Sequence, residues 1–267
     1  MNKRISIIFF LVLFLSSGYV LRTIDCHAQE MSKEEESLFV AKKAFEDGFY
    51  DVSLGLLERF LKSYPDSSKV FEARLLTGQC YFHQARFLDA LDQFEELLKQ
   101  PAAKDIRDAC LYWIAEVHFK ANNFSKAAEY YQKVIENFPQ SSYAVSAYYS
   151  LGWCLFQESK FDEALRYFNI VEERFPKEPL AQDASLKIIE CLYNLKDYPA
   201  LTQRIKSYLK LYSKDPVKLG FFYFYLGEAY YYLNDFSEAV KQYAKAISLK
   251  GEDKIQALSR LGMGWAD

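Results

Sequence analysis

The 267-residue sequence is poor in the residues that build enzyme centres and metal sites. It contains three histidines, five cysteines, ten glycines and seven prolines. It has no Cys-x2-Cys pair and no cluster of histidines, so no metal site is expected. Phosphate-binding glycine loops, Ser-His-Asp patterns and paired-carboxylate motifs are missing from the sequence as well. We therefore expect a protein that is not an enzyme and that needs no cofactor.

The chain also lacks a strong excess of either charge. Residues 1–28 carry Lys3, Arg4, Arg22 and Asp25, and the rest of the chain has 30 basic and 35 acidic side chains. Proteins that bind nucleic acid present a basic face to its phosphate backbone. No basic stripe runs between the aromatic residues of this sequence, so nucleic-acid binding is not expected.

Aromatic residues, in contrast, are abundant, and they recur at a fixed period. They make up 17% of the chain. One row advances by 37 residues four times and then by 38, through Phe45, Phe82, Phe119, Phe156, Tyr193 and Tyr231. A second row keeps the same steps through Tyr50, Phe87, Phe124, Phe161, Tyr198 and Phe236. Six agreeing copies predict a helical solenoid, in which each copy packs on its neighbours.

Each copy reads as a pair of helices joined by a tight turn. In the stretch 142–176, Tyr148, Leu151, Gly152 and Leu155 follow the i, i+3, i+4, i+7 spacing of an amphipathic helix. A second such stripe follows the polar break at residues 158–160 and stops at Pro176. Small residues recur in the first helices at Ala41, Gly78, Ala115, Gly152 and Gly227, with Ile189 as the exception. Because small residues let helices approach closely, we expect the fifth pair to sit slightly further apart.

Several of these residues resemble the tetratricopeptide repeat family: Leu151-Gly152 with Leu155, Ala164 with Phe168, and the closing Pro176. The resemblance implies an all-α fold, a right-handed α-solenoid of helix-turn-helix repeats. The expected repeats are 34–68, 71–102, 108–140, 145–178, 182–216 and 220–251, with a final half-repeat at 253–267. The family implies a protein-binding scaffold and does not identify the partner.

The N-terminus reads as a targeting segment. A basic start at residues 1–4 precedes the apolar run 5–15, and small residues follow. We expect a cleaved signal peptide over residues 1–28 and export to the periplasm or cell envelope. The alternative is an uncleaved membrane anchor over residues 5–21, near the lower length limit for spanning a bilayer. Lipidation of Cys26 is not expected, because Thr23-Ile24-Asp25 does not match a lipoprotein signal.

The four cysteines outside the leader are Cys80, Cys110, Cys154 and Cys191. We expect small, buried and unpaired thiols at these positions. Equivalent atoms of neighbouring repeats lie about 10 Å apart, which exceeds the limit of about 7 Å between the α-carbons of a disulfide.

The partner-binding surface is expected on the inner face of the solenoid, which in this family is lined by the first helix of each pair. Carrying the register over gives three residues from each of five first helices: Leu75, Gln79, Phe82, Tyr112, Glu116, Phe119, Tyr149, Trp153, Phe156, Leu186, Glu190, Tyr193, Phe224, Glu228 and Tyr231. An aromatic floor with carboxylates suits a peptide that has hydrophobic anchors and some basic residues. The competing interpretation of the row through Phe82, Phe119 and Phe156 is that it only packs between repeats. The ends of a solenoid also allow self-association.

Two functions remain open. The first is a non-enzymatic adaptor in the bacterial cell envelope that binds a cell-envelope protein. The junctions at residues 64–67 and 138–141 resemble those of periplasmic repeat proteins such as the BamD-type outer-membrane assembly factor and the Tol-associated cell-division coordinator. The second makes these repeats the N-terminal part of a longer protein with a catalytic or membrane function. It is suggested by residues 254–267, where Leu261-Gly262 and Trp265 stand in the register of another first helix. The competing interpretation is that this half-repeat itself caps the solenoid.

Overall fold

Helices account for all regular secondary structure in the part of the chain that the computed structural model describes, residues 31–249 and 252–266. This confirms the predicted all-α solenoid of helix pairs. The chain divides into two units, Met1–Glu36 and Ser37–Asp267, and the second unit contains the repeats apart from residues 33–36 of the first helix. The expected signal peptide, residues 1–28, and the alternative anchor, residues 5–21, lie outside the described residues.

Thirteen α-helices are present within the described residues, as six pairs and one further helix. Their bounds are α1 (Lys33–Glu46), α2 (Tyr50–Ser63), α3 (Val70–His83), α4 (Phe87–Lys99), α5 (Arg107–Lys120), α6 (Phe124–Asn137), α7 (Ala144–Gln157), α8 (Phe161–Arg174), α9 (Pro179–Asn194), α10 (Tyr198–Leu211), α11 (Pro216–Tyr232), α12 (Phe236–Ser248) and α13 (Asp253–Ala266). A short 3₁₀ helix, Pro101–Ile106, lies between the second and third pairs and was not expected from the sequence.

Two first helices begin earlier than the repeat spacing indicated. α9 starts at Pro179 and α11 at Pro216, whereas these repeats were expected from residues 182 and 220. Proline is favourable in the first turn of a helix, because its missing N–H costs no hydrogen bond there. At α11, the Asp215 side chain also accepts hydrogen bonds from the backbone N–H groups of Val217 and Lys218. Both prolines therefore open helices.

The two helices of every pair are joined by the same turn. One residue in each turn has a positive φ, between 56° and 81°: Gly48, Ala85, Asn122, Ser159, Lys196 and Asn234. In the second pair, the N–H of Ala85 donates to the carbonyl of Phe82, and the N–H of Arg86 donates to the carbonyl of Tyr81. This is the Schellman arrangement that ends a helix. Its two hydrogen bonds recur in all six turns, so every pair starts its second helix from the same geometry.

Within a pair, a small residue of the first helix faces a large residue of the second. A Cβ placed on Gly78 would lie 2.5 Å from the ring of Phe94, and one placed on Gly227 would lie 2.6 Å from the ring of Tyr243. Both rings are fully buried. Glycine therefore lets the second helix bring an aromatic ring directly onto the backbone of the first.

The fifth pair reaches a fit with different residues. It has Ile189 where other first helices have glycine or alanine, and Ile205 where the facing aromatic ring stands in the pairs on either side. Both isoleucines are fully buried. α9 and α10 make the least contact with each other of the pairs in repeats two to six. This smaller contact between α9 and α10 agrees with the wider separation that was expected for the fifth pair.

In every pair, the two aromatic rows meet across the turn. The rings pack edge to face with centroids 5.2 to 6.3 Å apart, an arrangement that aromatic pairs favour. The pairs are Phe45–Tyr50, Phe82–Phe87, Phe119–Phe124, Phe156–Phe161, Tyr193–Tyr198 and Tyr231–Phe236. The first row therefore contributes to closing the turn of its own repeat, a role that the sequence reasoning did not consider.

The last helix, α13, packs on α12 as a further first helix. A Cβ on Gly262 would lie 2.6 Å from the Tyr243 ring, as one on Gly227 would. Leu261 and Trp265 of α13 are 50% and 64% exposed, whereas Leu226, which precedes Gly227 as Leu261 precedes Gly262, is 3% exposed. One side of α13 therefore presents apolar surface that is covered in the complete pairs.

The four described cysteines are all buried and carry free thiols, as predicted from the sequence. Burial raises the pKa of the Cys110, Cys154 and Cys191 thiols to about 12, because a thiolate loses its hydration there. Burial also raises the pKa of Cys80. Neutral, buried thiols pack as small apolar groups and react slowly with electrophiles.

Candidate partner-binding surface

The fifteen residues predicted to bind a partner all lie on first helices, three each on α3, α5, α7, α9 and α11. We call this set the first-helix surface. Phe82 and Phe224 are buried, each only 8% exposed, and the other thirteen residues are partly exposed. The two buried rings contribute packing, whereas the other side chains present some surface to solvent.

A row of residues that the sequence reasoning missed stands beside this surface. It occupies one position of four successive first helices: Trp113, Ser150, Lys187 and Tyr225. The rings of Trp113 and Phe82 pack with centroids 5.1 Å apart, and those of Tyr225 and Tyr193 with centroids 5.2 Å apart. Trp113 and Tyr225 thus contact the preceding repeat. These residues keep the repeat period in the sequence. They are aromatic, polar and basic in turn, so no shared residue type marks them as one row.

Ser150 of α7 has the smallest side chain in this row. Ser150 stands between repeats three and four, where Trp113 stands between repeats two and three. Phe82, next to Trp113, is buried, but the equivalent Phe119 is partly exposed. Ser150 therefore supplies no ring against Phe119, in contrast to the ring that Trp113 packs against Phe82.

Two of the three predicted carboxylates bind hydroxyl groups of the protein itself. The Tyr131 hydroxyl donates to Oε1 of Glu116 at 2.6 Å. Glu228 accepts from Tyr243 at 2.6 Å and from Tyr193 at 2.8 Å, one on each carboxylate oxygen. Burial first, and then the nearby carboxylate, raises the pKa of Tyr131 and of Tyr243, so both phenols stay protonated. Glu116 and Glu228 therefore tie first helices to second helices.

The sequence contains a matching pattern. A tyrosine in the second helix accompanies the glutamates Glu116 and Glu228 in repeats three and six. In repeats two and four the second helix has Phe94 and Phe168, and the position of the glutamate is taken by Gln79 and by Trp153. Hydroxyl and carboxylate thus occur together or are both absent in these four repeats.

The third carboxylate, Glu190, has a basic partner. Nζ of Lys187 donates to Oε2 of Glu190 at 2.5 Å. The same ammonium lies 3.8 Å from the ring centroid of Trp153 and 5.3 Å from that of Phe156. Trp153 and Phe156 belong to α7, and the two charged residues belong to α9. Repeats four and five thus build one cluster of charge and aromatic rings.

The remaining exposed aromatics of this surface are anchored by their own packing. Tyr149 meets the Phe168 ring edge to face at 5.5 Å, and Tyr112 stacks on Tyr143 at 4.7 Å. Burial raises the pKa of Tyr149 to about 12, with Asp183 and then Glu190 adding to the effect. Rings held in this way keep a fixed orientation, which lowers the entropy cost of contacting a partner.

The two histidines of the described chain pack against aromatic rings. The imidazole of His83 stacks on Tyr50 with centroids 4.8 Å apart, and that of His118 stacks on Tyr130 at 5.7 Å. Partial loss of hydration against these rings lowers the pKa of both histidines, and Lys120 and Lys126 add to the effect. Among residues 31–249 and 252–266 there is no group of side chains that could hold a metal ion. In the same ranges, no helix combines the length and apolar character needed to cross a membrane.

Several solved structures are similar to this chain at low sequence identity. A tetratricopeptide repeat protein from Parabacteroides merdae is 14% identical, with a TM-score of 0.55 over 86% of this chain and 98% of that chain. The C-terminal part of a repeat protein from Cytophaga hutchinsonii is 16% identical, with a TM-score of 0.65 over 82% and 79%. PilF of Pseudomonas aeruginosa is 12% identical, with a TM-score of 0.59 over 87% and 95%. At these identities the likeness shows the fold alone.

Family models give the assignment. One model of the tetratricopeptide repeat matches residues 41–106, 86–142, 112–179 and 149–200, and a second matches residues 220–253. No curated protein matches the chain. These findings support the repeat family but not the expected likeness to BamD-type or Tol-associated proteins. The matches cover more than half of the sequence, and the chain belongs to the tetratricopeptide repeat family.

Proposed function

We propose that this protein is a non-enzymatic adaptor that binds a segment of a partner protein on the first-helix surface. Tetratricopeptide repeat proteins are typically non-catalytic scaffolds that mediate protein–protein interaction, and solenoid curvature gives them an extended concave surface. The observation that supports this site is the run of partly exposed Tyr149, Trp153 and Phe156 on α7.

The composition of α7 suits contact with apolar side chains. None of its residues, Ala144–Gln157, is charged. Exposed apolar surface of this kind is unfavourable in water and favourable in an interface. Tryptophan and tyrosine also dominate the binding energy of many protein interfaces, because they bury large areas with few rotatable bonds. Repeats four and five are therefore the proposed centre of the binding surface.

We further propose that the adaptor works in the cell envelope. The support is the leader-like sequence of residues 1–28, with its basic start and apolar run. N-terminal sequencing of the protein from cells tests this. A mature chain that starts near Gln29 in an extracytoplasmic fraction is expected, and an intact N-terminus in the cytoplasmic fraction would contradict export.

Photo-crosslinking in cells tests the binding surface. A benzophenone amino acid replaces Tyr149, which keeps an aromatic ring at the centre of the first-helix surface. The control probe replaces Glu173, an exposed residue of α8. The neighbouring Glu172 does not serve as the control position, because a probe there would remove its ion pair with Arg204, in which the charged atoms are 2.8 Å apart. We expect the Tyr149 probe to capture one protein that the Glu173 probe does not capture.

A substitution in the same chain strengthens the test. Adding Trp153→Ser to the Tyr149 probe removes the neighbouring indole, and we expect capture to fall at least tenfold. Equal capture from Tyr149 and Glu173, or capture that Trp153→Ser leaves unchanged, would rule out the first-helix surface as the receptor. The solenoid would then be better explained as a spacer.

A further inference from the structure

On the first-helix surface, an ammonium group of the protein itself is held by two aromatic rings and a carboxylate. Nζ of Lys187 lies 3.8 Å from the ring centroid of Trp153 and 5.3 Å from that of Phe156. It also donates to Oε2 of Glu190 at 2.5 Å. A cation within about 6 Å of a ring centroid is attracted by the ring electrons. The contacts come from α7 and α9, so the packing of two repeats builds this site.

The surroundings of the site carry more negative than positive charge. The uncharged helix α7 faces α9, which supplies Asp183 and Glu190 as well as Lys187. Both carboxylates act on the phenol of Tyr149, whose pKa they raise in addition to the larger effect of burial. Next along the surface, α11 adds Glu228. Lys218, the other ammonium on these two helices, is paired with Asp215 at 2.9 Å. Asp183, Glu190 and Glu228 therefore outnumber the remaining ammonium, Lys187, and this excess of negative charge favours a further cation.

We propose that Tyr149, Trp153, Phe156, Asp183 and Glu190 form a binding site for a lysine or arginine side chain of the partner, and that Lys187 occupies this site while no partner is bound. The proposal rests on the proposed function, because it names the chemistry of the partner at the same surface. We call these five residues the cation site.

Exchange of the two cations requires little rearrangement of the protein. The Lys187 side chain is 19% exposed and has a flexible four-carbon stem, so rotation about its own bonds removes it from the rings. The incoming ammonium or guanidinium takes over the ring face of Trp153 and the oxygen of Glu190. Because Lys187 is tethered, it competes with any weakly bound cation. Only a segment that also contacts the neighbouring aromatics displaces it, which makes the site selective.

A small cation tests the site without knowledge of the partner. Tetramethylammonium is titrated into ¹⁵N-labelled protein, and the indole N–H signals of the three tryptophans are followed by NMR. In Lys187→Ala the internal competitor is gone, and we expect the Trp153 signal to report a Kd at least tenfold lower than in the wild type. Trp265 is 64% exposed and lies on α13, so its signal reports non-specific contact in the same sample.

Matched controls define the result. Lys206→Ala removes an exposed lysine of α10 and should behave as the wild type. Adding Glu190→Gln to Lys187→Ala should weaken binding several-fold, and tert-butanol, a neutral molecule of similar shape, should not shift the Trp153 signal. Lys187→Ser, which introduces the residue that α7 has at the equivalent position 150, replaces Lys187→Ala if the alanine variant folds poorly.

Some outcomes would overturn the proposal. They are an equal response of Trp153 in the wild type and in the Lys187 variants, a parallel response of all three tryptophans, or an equal effect of tert-butanol. Failure here leaves the crosslinking result untouched, since apolar contacts alone can bind a partner. Binding of the cation with no crosslinked partner would instead support the cation site and contradict the proposed function.

Discussion

Within a helix pair, a small residue of the first helix faces a large residue of the second, and this fit holds the two helices together. Gly78 and Gly227 leave space for Phe94 and Tyr243, whose rings would clash with a Cβ. The sequence predicted that small residues recur at this position, because they share the period of the aromatics. It did not show which ring each small residue faces, since that depends on how the second helix folds back. The pairing sixteen residues apart became clear only from the structure.

Gly78→Ala tests this fit directly. The added Cβ would lie 2.5 Å from the ring of Phe94, which is fully buried and has no free space to move into. Overpacking costs about 1–3 kcal/mol, and better helix propensity returns roughly 0.5–1 kcal/mol. We expect the free energy of unfolding to fall by about 0.5–2 kcal/mol, measured from urea unfolding curves.

The control for this substitution is Gly55→Ala in the interior of α2. No atom lies within 4 Å of a Cβ built on Gly55, so only the propensity gain remains, and stability should rise by roughly 0.5–1 kcal/mol. Phe94→Leu should relieve part of the cost of Gly78→Ala, because repeat one combines Ala41 with Leu57 at these positions. Equal effects of the two glycine substitutions would contradict the packing argument.

Turns of one type set how the second helix of each pair starts relative to the first. The sequence predicted a tight turn in every pair, at residues 158–160 in the fourth, and the structure has Schellman turns in all six pairs. The sequence did not indicate that Ala85, Ser159 and Lys196 adopt a positive φ, because glycine stands at this position only in the first turn. Packing of the helix pair imposes the left-handed conformation on residues that do not favour it.

Ala85→Gly should therefore stabilise the second pair. Left-handed backbone costs an alanine about 1–2 kcal/mol, and glycine removes this cost while losing roughly 0.4–1 kcal/mol to unfolded-state entropy. We expect a gain of about 0.5–1 kcal/mol in the free energy of unfolding, measured in urea. Gly48→Ala is the reverse experiment at the equivalent turn, where a Cβ meets no atom within 4 Å. It should destabilise by a similar amount, and a stabilising effect would contradict the argument.

Other elements could not be derived from the repeat period. The 3₁₀ helix Pro101–Ile106 fills a junction where the other repeats have a proline-containing turn or a short link. Its Ala103 is buried, so the segment packs against the repeats. A period describes what the copies share, and a junction that differs from the others lies outside that description.

We expect the stability of the whole molecule to depend on pH. Partial loss of hydration lowers the pKa of His83 and His118 below the ordinary value, so the unfolded chain binds more protons than the folded chain in the region just below about pH 6.5. Stability is therefore fully present above about pH 6.5 and is lost as the pH falls towards the folded-state pKa values. We expect the thermal unfolding midpoint to decrease between pH 7.5 and pH 5.5.

The double substitution His83→Gln and His118→Gln should flatten this decrease. Carboxylates with lowered pKa values, such as Glu96 and Asp215, weaken stability only at lower pH, as they become protonated near and below about pH 4. The two windows are thus separate. A wild-type midpoint that stays constant, or a variant that keeps the full decrease, would contradict the assignment to the histidines.

The first-helix surface was predictable as a set of positions but not as a set of roles. Repeat register placed Glu116, Glu190 and Glu228 together, yet two of them bind tyrosine hydroxyls and the third binds Lys187. Phe82 and Phe224 share the register of exposed residues and are buried by their neighbours. Such differences arise from contacts between repeats, which the pattern within one repeat does not contain.

Mapping the crosslinked site on the captured protein tests the account most directly. The Tyr149 probe is crosslinked in cells, and mass spectrometry identifies which residues of the partner are joined to it. We expect a single short segment that combines apolar residues with a lysine or arginine, and loss of that crosslink in Trp153→Ser. Crosslinks scattered over many proteins or over one protein's whole surface would show that the first-helix surface is not a receptor.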